Sequence, residues 1–316
     1  MSWVTIIWSM VASACLTLAA IYFLVWCQKR TARAYLLFFM TSAATAAYAG
    51  CELWLMRAET PAQFAAVLRW GHVPIWVIIL SLVGFVRLHL RAGRPWLAWT
   101  VCALRTLALL LNFLMGQNLN YLEVTALRPV AFLGESVSVA VGVSNPCMLV
   151  GQLSLLLLVI FTADAAITVW RRGDRRQALV TGGSIVFFSL VAIAEAVLVL
   201  WQIVGWPLTA SFFYLGIVIS MGYEMGREAL RAAQLSDNLR ESEDRMRDII
   251  FSIDDWVWEV DENGVYTYSS QKGFDFFGQS REDVIGKTPF DFMPTDEAKR
   301  VAAIFSLRPK LTQPLG

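Results

Sequence analysis

Charged residues are scarce in this chain of 316 residues, of which 16% are charged and 57% are hydrophobic. A chain of this composition has too few polar side chains to cover a soluble globule, so we expect the bilayer to be its main solvent. The ten-residue alternation of membrane barrel strands does not recur through its apolar stretches. The sequence therefore predicts membrane helices, whose backbone groups pair internally.

Histidine, lysine and cysteine are scarce in ways that exclude particular chemistries. The only histidines, His72 and His89, lie on one predicted helix, which excludes haem ligation by histidines from two helices. Every lysine except Lys29 lies beyond residue 270, which excludes a retinal Schiff base inside the bundle. The five cysteines show no paired spacing of a metal knuckle or disulfide framework. We expect no metal, no cofactor and no nucleic-acid partner.

Seven apolar stretches fill residues 1–226, and each has about the 20 residues that a helix needs to cross a bilayer. They are Trp3–Cys27, Ala34–Met56, His72–Leu90, Trp96–Met115, Cys147–Trp170, Ala178–Ile203 and Pro207–Met225. The sequence therefore predicts an all-α polytopic bundle of seven transmembrane helices.

The distribution of positive charge among the short loops predicts the orientation of this bundle. Nine basic residues lie in alternate loops, and three lie in the loops at the other end. The nine are Lys29, Arg30, Arg33, Arg91, Arg94, Arg171, Arg172, Arg175 and Arg176; the three are Arg57, Arg69 and Arg128. Tryptophans at predicted helix ends, Trp70 among them, are typical of an aromatic belt. We expect a multi-pass protein of a bacterial inner membrane, with the N-terminus outside and the C-terminus in the cytoplasm.

The long outer loop at 116–146 contains two segments with the pattern of strands. Val137, Val139, Val141 and Val143 alternate with small residues, and a strand-like run from Tyr121 to Leu127 precedes them. A hairpin is expected here. It either folds back onto the helix ends or forms a lid over a binding cavity. Glu123 and Glu135 are its candidate polar contacts.

Ionisable side chains within the membrane are the best candidates for a functional site, because each is costly there unless it is paired. Arg105 lies near the middle of the fourth predicted helix, and we expect a carboxylate to pair with it. Glu52, Asn112 and Glu195 lie in the outer halves of their helices, where all four side chains can converge. Two interpretations remain open: a structural hydrogen-bond cluster between helices, or a polar pocket for an unknown small-molecule signal.

The composition becomes polar after Gly226, and residues 227–250 follow a heptad pattern. One narrow apolar seam consists of Ala232, Leu235, Leu239, Ser242, Met246 and Ile249. Such a seam is typical of a parallel two-stranded coiled coil, which predicts a homodimer through 230–250. A single amphipathic helix on the membrane surface is the alternative.

Residues 251–316 begin with two short predicted strands, Trp256–Val260 and Val265–Ser269, joined by a strong hairpin signal. The motifs, in order, are Asp255 to Gly264, Phe277-Gly278-Gln279-Ser280, Val284-Ile285-Gly286-Lys287 and Phe292-Met293-Pro294. This series resembles the first half of a PAS domain. The later strands that complete the PAS sheet are not found, so we expect an incomplete α+β domain without the usual ligand pocket.

The membrane half resembles the seven-helix N-terminal regions of bacterial sensor histidine kinases. The matching residues include Asn118-Leu119-Asn120-Tyr121, Gly134-Glu135, Asn145-Pro146, Asp164 and Tyr223-Glu224. The resemblance implies signal transduction by a two-component phosphorelay. No phosphoacceptor histidine or nucleotide-binding signature follows the membrane half, so we expect no catalytic activity in this chain.

Three functional hypotheses remain. The first is the input region of a two-component receptor that relays a signal through a coiled coil to PAS and output domains. The second is a transporter-like or structural membrane protein with a regulatory tail, although the inverted repeats and broken helices typical of transporters are not recognised. The third is a fragment with no function of its own.

Overall fold

A computed structural model describes residues 2–252 and 256–306. It describes the side chains of all these residues except 247–252, 276–277 and 303–306. Its contacts divide the chain into two compact units, 1–229 and 230–316. Within the described residues, six helices are long and apolar enough to cross a membrane. They are α1 (Trp3–Gln28), α2 (Arg33–Met56), α3 (Pro61–His89), α4 (Pro95–Leu114), α5 (Met148–Arg171) and α6 (Arg175–Leu200). The chain is therefore a multi-pass membrane protein.

Helix α7 extends from Ala210 to Ser252 and contains the seventh predicted crossing as its apolar first part. Tyr214, Ile217 and Met221 are buried in the main core, together with residues of α2, α3, α4 and α5. The first turns of α7 are thus part of the bundle. A seventh crossing, and the orientation of the whole bundle, stay predictions.

Helix α3 begins eleven residues earlier than the sequence predicts. Its first residue is Pro61, and the hydroxyl oxygen of Thr60 accepts a hydrogen bond from the Gln63 amide at 3.2 Å. Proline in the first turn and a threonine cap are ordinary signals of a helix start. The polar residues that follow lowered the apolar signal of this turn, so the predicted start at His72 is wrong. Trp70, expected at a helix end, lies within α3.

The loop after α4 forms an antiparallel hairpin of β1 (Tyr121–Phe132) and β2 (Glu135–Ser144). Gly142 is required here, because a Cβ atom at this position would lie 2.3 Å from the Glu123 carbonyl oxygen. The hairpin packs on the bundle: Tyr121, Val124 and Ala140 share a buried cluster with residues of α2, α3, α5 and α6. We call this side of the bundle the hairpin end.

The second unit contains a short hairpin of β3 (Trp258–Val260) and β4 (Tyr266–Ser269). The Asp261 carboxylate accepts the Asn263 and Val265 amides at 2.9 Å each, which fixes the turn and lowers the Asp261 pKa. Helices α8 (Gln271–Phe277), α9 (Arg281–Val284) and α10 (Thr295–Ser306) follow, with a 3-10 turn at Pro289–Phe292. Of the predicted domain at 251–316, residues 253–255 and 307–316 lie outside the described part.

Candidate functional site

A cavity of about 70 Å³ lies among the membrane helices near the hairpin end. We call it the Arg105 cavity. Its walls come from α2 to α7 and from Leu119 and Asn120, which precede β1. Its polar lining comprises Tyr48, His72, Arg105, Asn120, Gln152 and Tyr214. An occupant would therefore touch α7 directly, through Ala210 and Tyr214.

Arg105 is 3% exposed and lies close to His72, with 3.4 Å between Arg105 Nη2 and His72 Nδ1. Its Nε has no hydrogen-bond partner in the described part of the chain. Within the described residues no carboxylate forms a salt bridge with it. The expected carboxylate pairing of Arg105 is therefore wrong. The carboxylates at similar depth, Glu52 and Glu195, bind hydroxyl and N–H donors instead.

Glu52 is fully buried on α2 and accepts hydrogen bonds from two other helices. Trp8 Nε1 of α1 donates to Oε2 at 2.9 Å, and the Ser211 amide of α7 donates to Oε1 at 3.1 Å. The Ser211 hydroxyl donates to Oε2 as well. Ser211 is the second residue of α7, where backbone N–H groups have no intrahelical acceptor and the helix dipole favours an anion. Glu52 therefore fastens the start of α7.

Glu195 of α6 also accepts hydrogen bonds at the start of α7, from a residue slightly earlier in the chain. Its Oε1 accepts the amide and the hydroxyl of Thr209 at 2.6 and 2.5 Å. Thr209 immediately precedes α7, so the two carboxylates hold adjacent positions at the same helix start. The second oxygen, Oε2, is buried and has no hydrogen-bond partner.

Two tyrosines connect the carboxylates with the Arg105 cavity. Tyr48 and Tyr214 pack edge to face, with ring centroids 5.9 Å apart. Both line the cavity together with Arg105, and both lie near Glu52 and Glu195. Arg105 and the two carboxylates are therefore neighbours of one tyrosine pair without forming an ion pair.

The three other candidate residues have contacts outside the cavity. Asn112 donates to the Arg69 carbonyl and accepts the Leu119 amide, both at 2.9 Å, which fastens the loop after α4. Glu135 accepts from the Ser2 hydroxyl at 2.6 Å, at the start of α1. Glu123 is exposed on β1. The six candidates thus do not surround one cavity.

At the opposite end of the bundle, α7 is also held by contacts with several helices. The Tyr22 hydroxyl donates to the Gly222 carbonyl at 2.9 Å, and His89 Nδ1 lies 3.6 Å from a Glu228 carboxylate oxygen. The hydroxyl of Tyr223 accepts a hydrogen bond from Arg176 of α6 as well. These contacts fix α7 just before its exposed part begins.

The predicted seam lies on the exposed part of α7. Leu235, Leu239 and Met246 are 70%, 62% and 64% exposed in the single chain. The side chain of Ile249 lies outside the described residues. Homodimer formation through this seam stays a prediction.

Five polar side chains of the cavity were not among the candidates from the sequence: Tyr48, His72, Asn120, Gln152 and Tyr214. His72 was considered only as a haem ligand, although a histidine facing a buried arginine is itself unusual. The available signal was the presence of polar residues on four of the apolar helices, α2, α3, α5 and α7. The helix faces on which they meet depend on packing, which periodicity within one helix does not reveal.

Comparison with known families gives one match. Residues 244–315 match the model of the PAS fold. The match includes none of the six candidate membrane-spanning helices. No match was found among curated proteins or solved structures. A PAS fold attached to a multi-pass membrane region indicates a role in signalling.

Proposed function

We propose that this protein is the input region of a membrane receptor, in which occupation of the Arg105 cavity shifts α7. One observation carries the proposal: the cavity wall includes Ala210 and Tyr214, in the first two turns of the helix that continues to Ser252. A change at the cavity therefore acts on the same helix that leads into the PAS match at 244–315.

The contacts at the start of α7 suggest how the shift arises. Glu52 and Glu195 hold Ser211 and Thr209, while Tyr214 lies one turn further along the helix. An occupant that displaces Tyr214 would strain these hydrogen bonds. Such a ligand shifts the equilibrium only by its difference in affinity for the two positions of α7.

We further propose a histidine kinase as the output, on the strength of the resemblance described above. The present chain would then bind the signal and relay it, and the chemistry would belong to the output. The orientation that we propose from the distribution of loop arginines puts the hairpin end outside the cytoplasm and α7 beyond Glu228 inside it.

The test of this function does not require the natural ligand. Residues 1–250 are fused to the core of a histidine kinase, and autophosphorylation is measured in membranes. Gly151→Val places methyl groups in the cavity, because a Cβ atom at Gly151 lies 3.5 Å from Arg105 Nη1 and 3.2 Å from Leu119 Cδ2, so the Leu119 side chain must shift slightly. We expect a change of about threefold or more, which corresponds to a shift of roughly 0.7 kcal/mol in the two-state equilibrium.

Gly50→Ala is the matched control, since no atom lies within 4 Å of a Cβ atom there. It should leave autophosphorylation unchanged. Gly151→Ala provides a smaller step if the valine variant fails to insert. Unchanged kinase activity in folded, inserted Gly151 variants would contradict the proposed coupling between cavity and α7.

The predicted homodimer is tested on the exposed seam. Leu239→Asp places a negative charge where two seams would meet. Asn238→Asp adds the same charge one position away, outside the seam. We expect the former to weaken dimer formation at least tenfold, and the latter to have little effect, because apolar seam contacts stabilise such dimers. Equal dimer fractions for both variants, measured by cross-linking in membranes, would contradict a coil through this seam.

A further inference from the structure

The polar atoms of the Arg105 cavity that lack a partner are all nitrogen atoms that donate hydrogen bonds. Three buried nitrogen atoms have no hydrogen-bond partner among the described residues: Arg105 Nε, His72 Nε2 and Gln152 Nε2. Among the residues that the structure describes, no aspartate or glutamate lines this cavity. Buried polar groups of proteins nearly always have partners, so several orphan donors around one space indicate that an acceptor belongs there.

The protonation of His72 follows from its neighbour. Arginine has only donors, so the contact of 3.4 Å between Arg105 Nη2 and His72 Nδ1 requires the lone pair on Nδ1. The neutral ring then carries its proton on Nε2, which has no partner of good hydrogen-bond geometry among the described residues, although the Asn120 side chain of the same cavity lies close enough to interact with the ring. Both His72 and Arg105 therefore present N–H groups to the cavity.

The charge balance indicates an anion with a single negative charge. Arg105 is 97% buried without a carboxylate partner in the described residues, and an uncompensated cation at this depth is costly. One negative charge balances it. A doubly charged phosphate would leave a charge unpaired, and a neutral head group would leave the guanidinium uncompensated.

The size and lining of the cavity restrict the anion further. Its volume of about 70 Å³ accommodates roughly five small groups, at about 10–15 Å³ for each water-sized group. Gly151, Ile75 and Leu155 leave an apolar wall beside the polar one. A planar carboxylate matches the two parallel N–H groups of a guanidinium, and a short alkyl tail matches the apolar wall.

We infer that the Arg105 cavity is a binding site for a short-chain carboxylate of about the size of propionate. Arg105 binds the two carboxylate oxygens, His72 and Gln152 donate to them, and the alkyl tail contacts Ile75 and Leu155. This inference rests on the proposed function only where it identifies the carboxylate as the signal. Binding itself is measured independently of any output.

Binding is tested with the full chain in lipid nanodiscs, with propionate as the probe and saturation-transfer NMR as the measurement. Arg105→Gln removes the charge and leaves a polar side chain of similar length. We expect it to weaken propionate binding by about 10- to 100-fold, the range for hydrogen bonds between charged groups. Arg128→Gln makes the same change on the exposed face of β1 and should bind as the parent does.

Two competitors decide between related ligands. Chloride at the same ionic strength should displace little propionate, because it has no carboxylate geometry or apolar tail. Laurate should bind more weakly than propionate, because its chain exceeds the cavity. Displacement by chloride at equal concentration would overturn the carboxylate assignment, and preferential binding of laurate would overturn the short-chain assignment.

A folded parent protein that does not bind propionate, or binding that Arg105→Gln leaves unchanged, would overturn the inference as a whole. Neither result would affect the proposed function, which the Gly151 variants test without a ligand. If those variants leave the kinase fusion unchanged while propionate binds through Arg105, the cavity is a binding site but the receptor proposal fails.

Discussion

Two buried polar clusters lie side by side in the membrane region, and they differ in how completely their hydrogen bonds are satisfied. Glu52 is fully buried, and both of its oxygens accept hydrogen bonds. Arg105 is almost as deeply buried, but its Nε has no partner, and its neighbour His72 also presents an unpartnered nitrogen. The two clusters share Tyr48 and Tyr214 as neighbours.

On the strength of this difference we interpret the Glu52 cluster as structural and the Arg105 cluster as the proposed ligand site. A buried carboxyl group with several hydrogen bonds stabilises the arrangement of the helices that donate them. A buried charge without a counter-ion costs free energy in the unoccupied protein, which binding of an anion recovers. The Glu52 cluster should therefore be important for stability, and the Arg105 cluster for binding.

The largest effect on stability is expected from Glu52→Ala. The change leaves the buried Trp8 indole N–H and the Ser211 amide without acceptors, each at a cost of about 1–3 kcal/mol. We expect a loss of about 3 kcal/mol or more, measured by thermal unfolding of the purified protein in detergent. Glu123→Ala on the exposed face of β1 is the control. A similar Tm for both variants would show that Glu52 does not fasten α7.

Glu195→Ala should have a smaller effect in the same measurement. It removes the acceptor of the Thr209 amide and hydroxyl, but this region is only partly buried and water can replace part of the contact. We expect a loss of about 1 kcal/mol, comparable with the removal of a helix cap. A larger loss than for Glu52→Ala would reverse the order of the two carboxylates.

Arg105→Met should leave stability unchanged or raise it slightly, by up to about 1 kcal/mol, in a buffer without carboxylates. The apolar side chain replaces a buried charge that has no counter-ion among the described residues. This outcome would support the difference between Arg105 and Glu52, whose removal should destabilise the protein. A loss of stability above about 2 kcal/mol would contradict that difference, because Arg105 would then act as a structural residue.

The helix bounds were largely predictable, because bilayer thickness sets the apolar length. The predicted ends of α1, α2, α4 and α5 lie within a residue of those in the structure. The start of α3 was missed because polar residues follow Pro61 and mask the apolar signal. The Thr60-Pro61 pair was the available signal for the true start.

The partners of the buried charges were less predictable than the helices. Glu52 and Glu195 had the charge and the approximate depth to pair with Arg105, and periodicity did not reveal which helix faces meet. In the structure both carboxylates accept hydrogen bonds from the start of α7, and His72 is in contact with Arg105. Long-range packing between helices determines these partners, and the sequence of a single helix does not contain that information.

Glu135 is a third carboxylate at a helix start, and unlike Glu52 it is in contact with solvent. The hydrogen bond from the Ser2 hydroxyl, at 2.6 Å, lowers the Glu135 pKa below its ordinary value of 4.5. A lowered pKa means that the ionised carboxylate stabilises the fold above pH 4.5, and that this contribution is lost as the pH falls through the folded pKa. The contact between hairpin and α1 should therefore weaken in acid.

Thermal unfolding of the parent protein and of Glu135→Gln at pH 7 and at pH 3 measures this contribution. At pH 7 the parent should have the slightly higher Tm, and at pH 3 the difference should shrink because Glu135 is increasingly protonated in the parent. All other carboxylates titrate in both proteins, so the comparison isolates Glu135. A Tm difference of equal size at both pH values would assign the contact to neutral hydrogen bonding, and the Glu135 charge would then not contribute at the exposed start of α1.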